Sequence, residues 1–422
     1  MAKEKIWLSS PTMHTEELAY IREAFDKNWV APLGFNCDGF EEETVDYLKS
    51  KGGAGDLYAL SLCSGTAALH LAVKLAGVQS GDTVFCSDMT FSATVNPVSY
   101  EGGRQVFIDA EPETWNMDPA ALERAFEKYP NTKLVIMAHL YGTPGKMAEL
   151  TAICEKHGAI LIEDAAEALS ATYRDRACGS FGDYGVLSYN GNKIITTSGG
   201  GMLLTHTEED YNKAFFWATQ AREATPWYQH EEIGYNYRMS NVCAGIGRGQ
   251  MTVVDDHIEH HKHVQEMYVE LLADVPGITV HQAPKHPEDG EKPVFDSNYW
   301  LCTITLDPSL RIWGQENVYG KTETKVVGGA AGVLHASGEL TTDCQPNDNV
   351  EALRVWLDRE QIEARPLWKP MHKQPVYKNA PAYVNGVSES LFKVGLCLPS
   401  GPWVSPEDVT FIVDAIKRAI VS

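Results

Sequence analysis

The chain has 422 residues, 44% of them hydrophobic and 22% charged, which is enough to build one large or two smaller globular domains. Its net charge of −22 argues against a nucleic-acid or anionic-membrane partner, although a local cluster of cations and amides can still hold a small anion. No apolar run is long enough to cross a bilayer and no signal-peptide core is present, so a cytoplasmic protein is expected. Nine scattered cysteines without a Cys-x-x-Cys pair indicate reduced thiols, and no metal site is predicted.

The first half of the chain shows an N-terminal arm, a helix over 16–27, and then alternating strand and helix patterns. Strands are predicted at 58–62, 83–87, 105–108, 133–138, 159–162, 186–189 and 201–204. Helices are predicted at 66–75, 119–128 and 147–156. Short apolar strands alternating with helices indicate an α/β fold with a mostly parallel sheet and helices on both faces.

The second half shows a helical region over 241–272 and a polar surface loop over 282–296. Residues 307–349 have little periodicity and are interpreted as an insertion or a long hairpin. An α/β unit follows from 350 to 422, with helices near 350–360 and 406–419. The predicted division is therefore an arm (1–40), a large domain (41–250) and a small C-terminal domain (251–422) that contains the insertion.

The strongest chemical signal is the run from Ser188 to Met202. Lys193 lies five residues after Ser188, between apolar pairs and before three consecutive glycines. A lysine amine can hold an aldehyde cofactor as a Schiff base while a serine hydroxyl binds the phosphate of that cofactor. For an isolated lysine, a solvated loop position would be the ordinary alternative.

Further polar residues fall at or beyond predicted strand ends, where open α/β sheets bind ligands. Gly65 and Thr66 follow Ser64 at a helix start, which suits either a phosphate cradle or a simple helix cap. Asp164 closes a strand and can pair with a protonated pyridine nitrogen, or can cap the next element. From residues alone, both alternatives stay open for each motif.

Two more side chains fit the same kind of ligand. Glu167 can reach a ring oxygen of the cofactor, with a solvated helix position as the alternative. Phe91 can stack on an aromatic ring, with a core position as the alternative. His70, His139 and His372 are more typical of structural histidines than of catalytic ones.

Taken in order, these motifs resemble the sugar aminotransferases of the DegT/DnrJ/EryC1/StrS family, fold-type-I enzymes that depend on pyridoxal 5′-phosphate (PLP). The similar segments are 64–69, 90–94, 139–142, 163–168, 188–201 and 234–241. The resemblance extends over nearly the whole chain apart from the insertion after Asp307. It implies a mostly parallel central sheet with helices on both faces and a smaller C-terminal α/β domain, PLP as the cofactor, and an obligate homodimer.

The resemblance implies one catalytic residue and two residues that bind the cofactor ring. Lys193 would carry the cofactor as a Schiff base and shuttle the proton. Asp164 would hold the pyridine nitrogen, and Glu167 the ring hydroxyl. Lysine at position 193, where some relatives have histidine, favours transamination over dehydration.

It also implies the groups that bind the cofactor. Gly65, Thr66 and Ser188 would bind the phosphate, with Phe91 against the ring. Asn236 resembles a residue that such enzymes contribute across the dimer interface to the phosphate of the neighbouring subunit. A turn asparagine before a helix is its alternative.

Finer features, at 29–34, 190–193 and 365–372, look similar to the bacillosamine-pathway type. Such enzymes use glutamate to aminate C4 of a UDP-linked 2-acetamido-4-keto-6-deoxyhexose, so the implied reaction is a ping-pong transamination on a nucleotide sugar. Arg365 and His372 are the substrate-side candidates. A transaminase for a GDP-linked, dTDP-linked or non-nucleotide keto sugar or cyclitol stays open, as does a regulatory protein on this scaffold.

Overall fold

The computed structural model describes residues 4–288, 290, 292–319 and 344–421. Its α-helices are α1 (Glu16–Asp26), α2 (Phe35–Ser50), α3 (Gly65–Leu75), α4 (Asn96–Tyr100), α5 (Pro119–Lys128), α6 (Met147–His157), α7 (Glu208–Ala218), α8 (Asn241–Met251), α9 (Val254–Leu272), α10 (Asp348–Arg359), α11 (Val387–Val394) and α12 (Pro406–Ala419). Its strands are β1 (Tyr58–Leu62), β2 (Thr83–Ser87), β3 (Arg104–Ile108), β4 (Leu134–Ala138), β5 (Ile160–Asp164), β6 (Thr172–Tyr173), β7 (Arg176–Ala177), β8 (Tyr184–Ser188), β9 (Gly201–Thr205), β10 (Ile278–Val280), β11 (Phe295–Asp296), β12 (Cys302–Leu306), β13 (Arg365–Pro366), β14 (Ala382–Tyr383) and β15 (Gly395–Leu398).

The central sheet has the strand order β1-β9-β8-β5-β4-β2-β3-β14. The pairs from β8 to β14 are parallel, and β9 is antiparallel to both of its neighbours. The predicted mostly parallel sheet is confirmed. Because β1, β2, β4, β5 and β8 run in the same direction, their carboxyl ends lie along one edge of the sheet.

Helices cover both faces of this sheet, and the side-chain alternation of the strands shows why. On β2, Val84 and Cys86 belong to the apolar cluster that includes α3, whereas Phe85 belongs to the cluster formed with α5 and α6. Both sets are almost fully buried. Burial on two faces explains why these strands read as continuous apolar runs.

A smaller antiparallel sheet, in the order β10-β12-β15-β13, packs against α9, α10 and α12 around its own apolar cluster. This confirms the smaller α/β unit near the C-terminus. The exact division at residues 40 and 250 stays a prediction. One strand pairing joins the two parts, since β14 from the C-terminal part pairs with β3 at the edge of the central sheet.

Several element predictions need correction. The helical region predicted over 241–272 is two helices, separated at Thr252 and Val253. The sequence analysis does not predict the helices α2, α4, α7 and α11, and the last two residues of the predicted loop 282–296 form β11, which pairs with β6. Most of the predicted insertion, 320–343, lies outside the described residues.

A buried glutamate near the carboxyl ends of the parallel strands contributes to the stability of the fold. Glu163 on β5 is fully buried and accepts hydrogen bonds from Nε2 of His139 at 2.9 Å and from the backbone N–H groups of Gly179 and Gly182 at 2.9 and 2.6 Å. Burial alone would raise the pKa of Glu163. The hydrogen bonds from His139 and the backbone outweigh burial and hold this pKa below its ordinary 4.5.

Replacing Glu163 with glutamine is expected to lower the free energy of unfolding by about 2–4 kcal/mol, because the amide turns a donor toward N–H groups that need an acceptor. Thermal unfolding of wild type and variant would measure the difference. Since the folded pKa is lowered, the stability from Glu163 is present above pH 4.5 and is lost as the pH falls through the folded pKa. The wild type should therefore lose more stability than the variant below pH 4.5, and parallel losses would contradict this assignment.

Candidate active site

Three strand ends and the turns after them bring the main candidate residues to one edge of the central sheet. Asp164 is the last residue of β5 and Ser188 the last of β8, while Ser64 follows β1 and opens α3. Lys193 lies on the turn after β8, where its backbone N–H donates to the carbonyl of Asn190 at 3.0 Å. This arrangement follows from the parallel pairing, since parallel strands end together.

The N-terminus of α3 lies directly against Ser188. The Ser64 hydroxyl accepts from the backbone N–H of Ala67 at 3.1 Å, so the predicted capping role holds for this residue. A Cβ built on Gly65 would lie 3.2 Å from Cβ and 3.3 Å from Oγ of Ser188. The absence of a side chain at Gly65 thus lets the Ser188 hydroxyl approach the first turn of α3, where unpaired N–H groups favour an anion.

Asp164 is a buried carboxylate with only neutral hydrogen-bond donors. Its Oδ2 accepts from the hydroxyl of Thr94 at 2.6 Å, and its Oδ1 from the N–H of Ala166 at 3.1 Å. Thr94 is itself held by Thr90, with 2.6 Å between the two hydroxyl oxygens. Burial raises the pKa of Asp164, while Thr94, Ala166 and the charge of Lys193 act in the opposite direction.

Lys193 and Glu167 form a close pair beside Asp164. The Lys193 Nζ is 3.5 Å from Oε1 of Glu167, and both side chains are largely buried, with 13% and 10% exposed. The other oxygen of Glu167 accepts from the backbone N–H of Tyr141 at 2.7 Å. Burial raises the pKa of Glu167, and the Lys193 ammonium opposes that effect. The solvated-helix alternative for Glu167 is therefore wrong.

The indole ring of Trp300 packs against the amine of Lys193. The sequence analysis does not predict this contact. The lysine Nζ lies 3.8 Å from the ring centroid, a cation–π contact, and the indole ring is fully buried. Trp300 Nε1 donates to the carbonyl of Asn192 at 2.6 Å, so the same side chain also holds the lysine turn. No local pattern marks Trp300, because it reaches Lys193 from a segment far along the chain.

Phe91 and Trp368 form an aromatic pair, here called the aromatic mouth of the site. Phe91 is 53% exposed and its ring centroid is 5.4 Å from that of Trp368, so the core alternative for Phe91 is wrong. Trp368 stacks on Tyr141 at 6.0 Å, and its backbone N–H donates to the Tyr141 hydroxyl at 2.8 Å. Tyr141 therefore links the Glu167 carboxylate to the aromatic mouth.

The remaining sequence candidates lie in different settings. Asn236 is exposed and forms an isolated β-bridge with Thr219. Arg365 is engaged by Glu363, with 3.1 and 2.7 Å from its Nε and Nη2 to Oε1. His372 is hydrogen-bonded to Asp88, a buried residue directly after β2 that the sequence analysis missed.

Two further observations concern the described part of the chain. None of its helices combines the length and apolarity that crossing a bilayer requires. No group of three or more His, Cys, Asp and Glu side chains in these residues is placed to hold a metal ion.

Comparison with known proteins adds a family match to this geometry. The sequence model of the DegT/DnrJ/EryC1/StrS aminotransferase family matches residues 11–330 and 316–417. EpsN of Bacillus subtilis (strain 168), which carries the name of a pyridoxal phosphate-dependent aminotransferase, is 41% identical over 98% of this chain and 95% of its own length. A GDP-perosamine synthase of Escherichia coli O157:H7 is 30% identical over 97% of this chain and 96% of its own length.

Solved structures agree on the fold. The aminotransferase TlmJ from Streptoalloteichus hindustanus superposes with a TM-score of 0.80 at 24% sequence identity, over 98% of each chain.

Proposed function

This chain belongs to the DegT/DnrJ/EryC1/StrS aminotransferase family and is a PLP-dependent aminotransferase; from that premise we propose that it transfers an amino group from glutamate to C4 of a nucleotide-linked 4-keto-6-deoxy sugar. The preferred substrate is a UDP-linked 2-acetamido-4-keto-2,6-dideoxyhexose. The observation that carries the proposal is the Lys193 amine held between Glu167 and the Trp300 ring, at the strand edge that also holds Asp164 and Ser188.

The residues at this edge fit PLP. The α3 N-terminus with Gly65, Thr66 and Ser188 suits a phosphate, since Gly65 leaves room for the Ser188 hydroxyl beside free N–H groups. Asp164, buried with a raised pKa, suits a protonated ring nitrogen because that cation would stabilise its charge.

Glu167 would face the ring hydroxyl, and Phe91 would lie against the ring. When bound, PLP supplies an electron sink that stabilises negative charge on the carbon beside the substrate nitrogen.

The proton transfers fall to Lys193. Its amine can accept a proton from the donor substrate in one half-reaction and return a proton to the keto sugar in the other. Glu167 and the Trp300 ring both contact Nζ, so they would hold the amine in place while it carries the proton. The largely buried setting of this pair limits the access of water to the reacting atoms.

The identity of the sugar substrate is proposed from sequence similarity. Residues 29–34, 190–193 and 365–372 favour the UDP-linked sugar, and Arg365 and His372 would face it. The relative named GDP-perosamine synthase favours a GDP-linked 4-keto-6-deoxy sugar as the second candidate.

A two-stage assay tests the function. Glutamate should convert the visible absorbance of the PLP-loaded protein to that of the aminated cofactor, and UDP-, GDP- and dTDP-linked 4-keto sugars should then be offered in turn. Restoration of the first spectrum by the UDP-linked sugar is the expected result. Restoration by the GDP-linked sugar alone would select the second candidate, and an unchanged spectrum with glutamate would exclude glutamate as the amino donor.

We propose further that two copies share each active site, with Asn236 reaching the phosphate of the partner subunit. Asn236 lies on a segment that joins residues 29–33 through a Pro32–Ser240 bridge and a hydrogen bond from Asn241 to the Trp29 carbonyl. Large apolar side chains are exposed on α1, on that turn and on the loop before Asn236, namely Leu18, Phe25, Trp29, Val30, Leu33, Trp227, Tyr228 and Ile233. Apolar exposure of this extent is typical of a protein interface.

Subunit mixing is expected to restore activity between two inactive variants. Lys193→Ala and Asn236→Asp homodimers should each be nearly inactive, the second because a carboxylate would repel the phosphate. After mixing and subunit exchange, one of the two sites in each hybrid dimer would be free of both changes, so about a quarter of wild-type activity should return at statistical exchange. Hybrids, detected by mass spectrometry, that stay inactive would contradict shared sites.

A further inference from the structure

A buried acid and a histidine pair at the sheet edge beside the aromatic mouth. Asp88 directly follows β2, is fully buried, and accepts two hydrogen bonds from His372. One comes from the backbone N–H to Oδ1 at 2.9 Å, and the other joins Nδ1 of the ring to Oδ2 at 2.7 Å. The backbone and the ring of one residue are therefore both set by one carboxylate.

The hydrogen bond between His372 and Asp88 determines which ring nitrogen of His372 remains available to a ligand. Since Asp88 uses its oxygens as acceptors, Nδ1 of His372 carries the hydrogen that points to it. Within the described part of the chain Nε2 has no hydrogen-bond partner, and 13% of the side chain is exposed. The pair thus presents a single oriented nitrogen with solvent access.

The position of the pair links it to the mouth of the site. Asp88 lies three residues before Phe91, and His372 four residues after Trp368, whose ring contacts that of Phe91. The indole Nε1 of Trp368 is buried and has no acceptor in the described residues. An unpaired buried N–H is costly, so a ligand oxygen is the natural partner for it.

The charges indicate the kind of ligand atom. The Asp88 carboxylate at the Nδ1 side of the ring suits an uncharged ligand oxygen better than a phosphate or a carboxylate, which it would repel. Aromatic faces next to nitrogen donors also suit a hexose, because its C–H face packs on rings while its hydroxyl and carbonyl oxygens take hydrogen bonds.

We infer that Asp88 is a positioning residue that orients His372 so that Nε2 binds an oxygen atom of the sugar substrate. This inference rests on the proposed function for the identity of that substrate. It assigns His372 to the sugar half-reaction and leaves the glutamate half-reaction to the residues around Lys193. A purely structural lock between two chain segments is the competing account.

Two substitutions at position 372 separate these accounts. The amide of His372→Asn can replace Nδ1 against Asp88 but offers nothing at the place of Nε2. The amide of His372→Gln can reach the place of Nε2 but leaves the Asp88 side chain without its ring partner. A structural lock therefore tolerates asparagine and suffers from glutamine, whereas sugar binding suffers most from asparagine.

Titration of the UDP-linked 4-amino-6-deoxy sugar into the PLP-loaded protein gives the decisive measurement, with the GDP-linked sugar in parallel. We expect about 10-fold weaker binding in His372→Asn, at an unchanged melting temperature and with the glutamate half-reaction within about twofold of wild type. Asp88→Asn should weaken sugar binding in the wild-type background and have no further effect in the His372→Asn background.

The inference is overturned if His372→Asn binds the sugars as tightly as wild type, or if the wild type binds neither sugar. An effect of Asp88→Asn that persists without His372, or equal slowing of both half-reactions, would point to the structural lock. Failure of the wild type to react with glutamate would instead remove the proposed function, while the binding comparison would still decide the role of His372.

Discussion

Replacing Lys193 with alanine is expected to lower the rate of transamination by about 10⁴-fold or more, because the change removes the amine that moves the proton in both half-reactions. Fold and cofactor binding should survive, since the N-terminus of α3, Asp164 and Ser188 are unchanged. The measurement is the single-turnover rate of the spectral change with glutamate at saturating PLP. A loss of less than about tenfold would contradict the assignment.

Two controls separate the chemistry of Lys193 from its charge. Lys193→Arg keeps a cation beside Glu167 and Trp300 but cannot exchange the proton at neutral pH, so it should be as inactive as the alanine variant. Lys213→Ala removes a partly exposed lysine that pairs with Glu232 and should leave the rate unchanged. Borohydride reduction of the loaded wild type should label the peptide that contains Lys193, and a label elsewhere would refute its role.

The second large effect is expected for Asp164→Asn, which should reduce the single-turnover rate by about 10²- to 10³-fold. The asparagine oxygen can still accept from the N–H of Ala166 while its NH₂ group donates to the Thr94 hydroxyl, so the local structure should remain. The change removes the negative charge that would keep a ring nitrogen protonated. Single-turnover kinetics with glutamate, together with the affinity for PLP, would measure both consequences.

The neighbouring Glu163→Gln variant is a matched comparison, since both acids are buried on consecutive positions of β5. Their side chains have different partners, because Glu163 bonds to His139 and backbone N–H groups. We therefore expect Glu163→Gln to lower the melting temperature with little loss of rate per folded molecule, and Asp164→Asn to do the reverse. The same outcome for both variants would rule out a specific role for Asp164.

Much of the central sheet was predictable because its signals are local. Strands buried on both faces appear as short apolar runs, and most predicted strands lie within two residues of the observed ones. The split between α8 and α9 was not predictable from periodicity, since the apolar spacing continues across Thr252 and Val253. The helix α2 was missed because its sequence, rich in acidic residues and with Gly39 near its start, carries little apolar periodicity.

Some residues of the candidate site could likewise be predicted from local sequence, and others could not. The motifs at 64–66, 164–167 and 188–193 could be predicted to lie together, since each follows one strand and parallel strands end at one edge. The contacts of Trp300 with Lys193, of Thr94 with Asp164 and of Asp88 with His372 became apparent only in the folded chain. These contacts join segments far apart in the chain, and packing alone brings them together, so no spacing in the sequence could have indicated them.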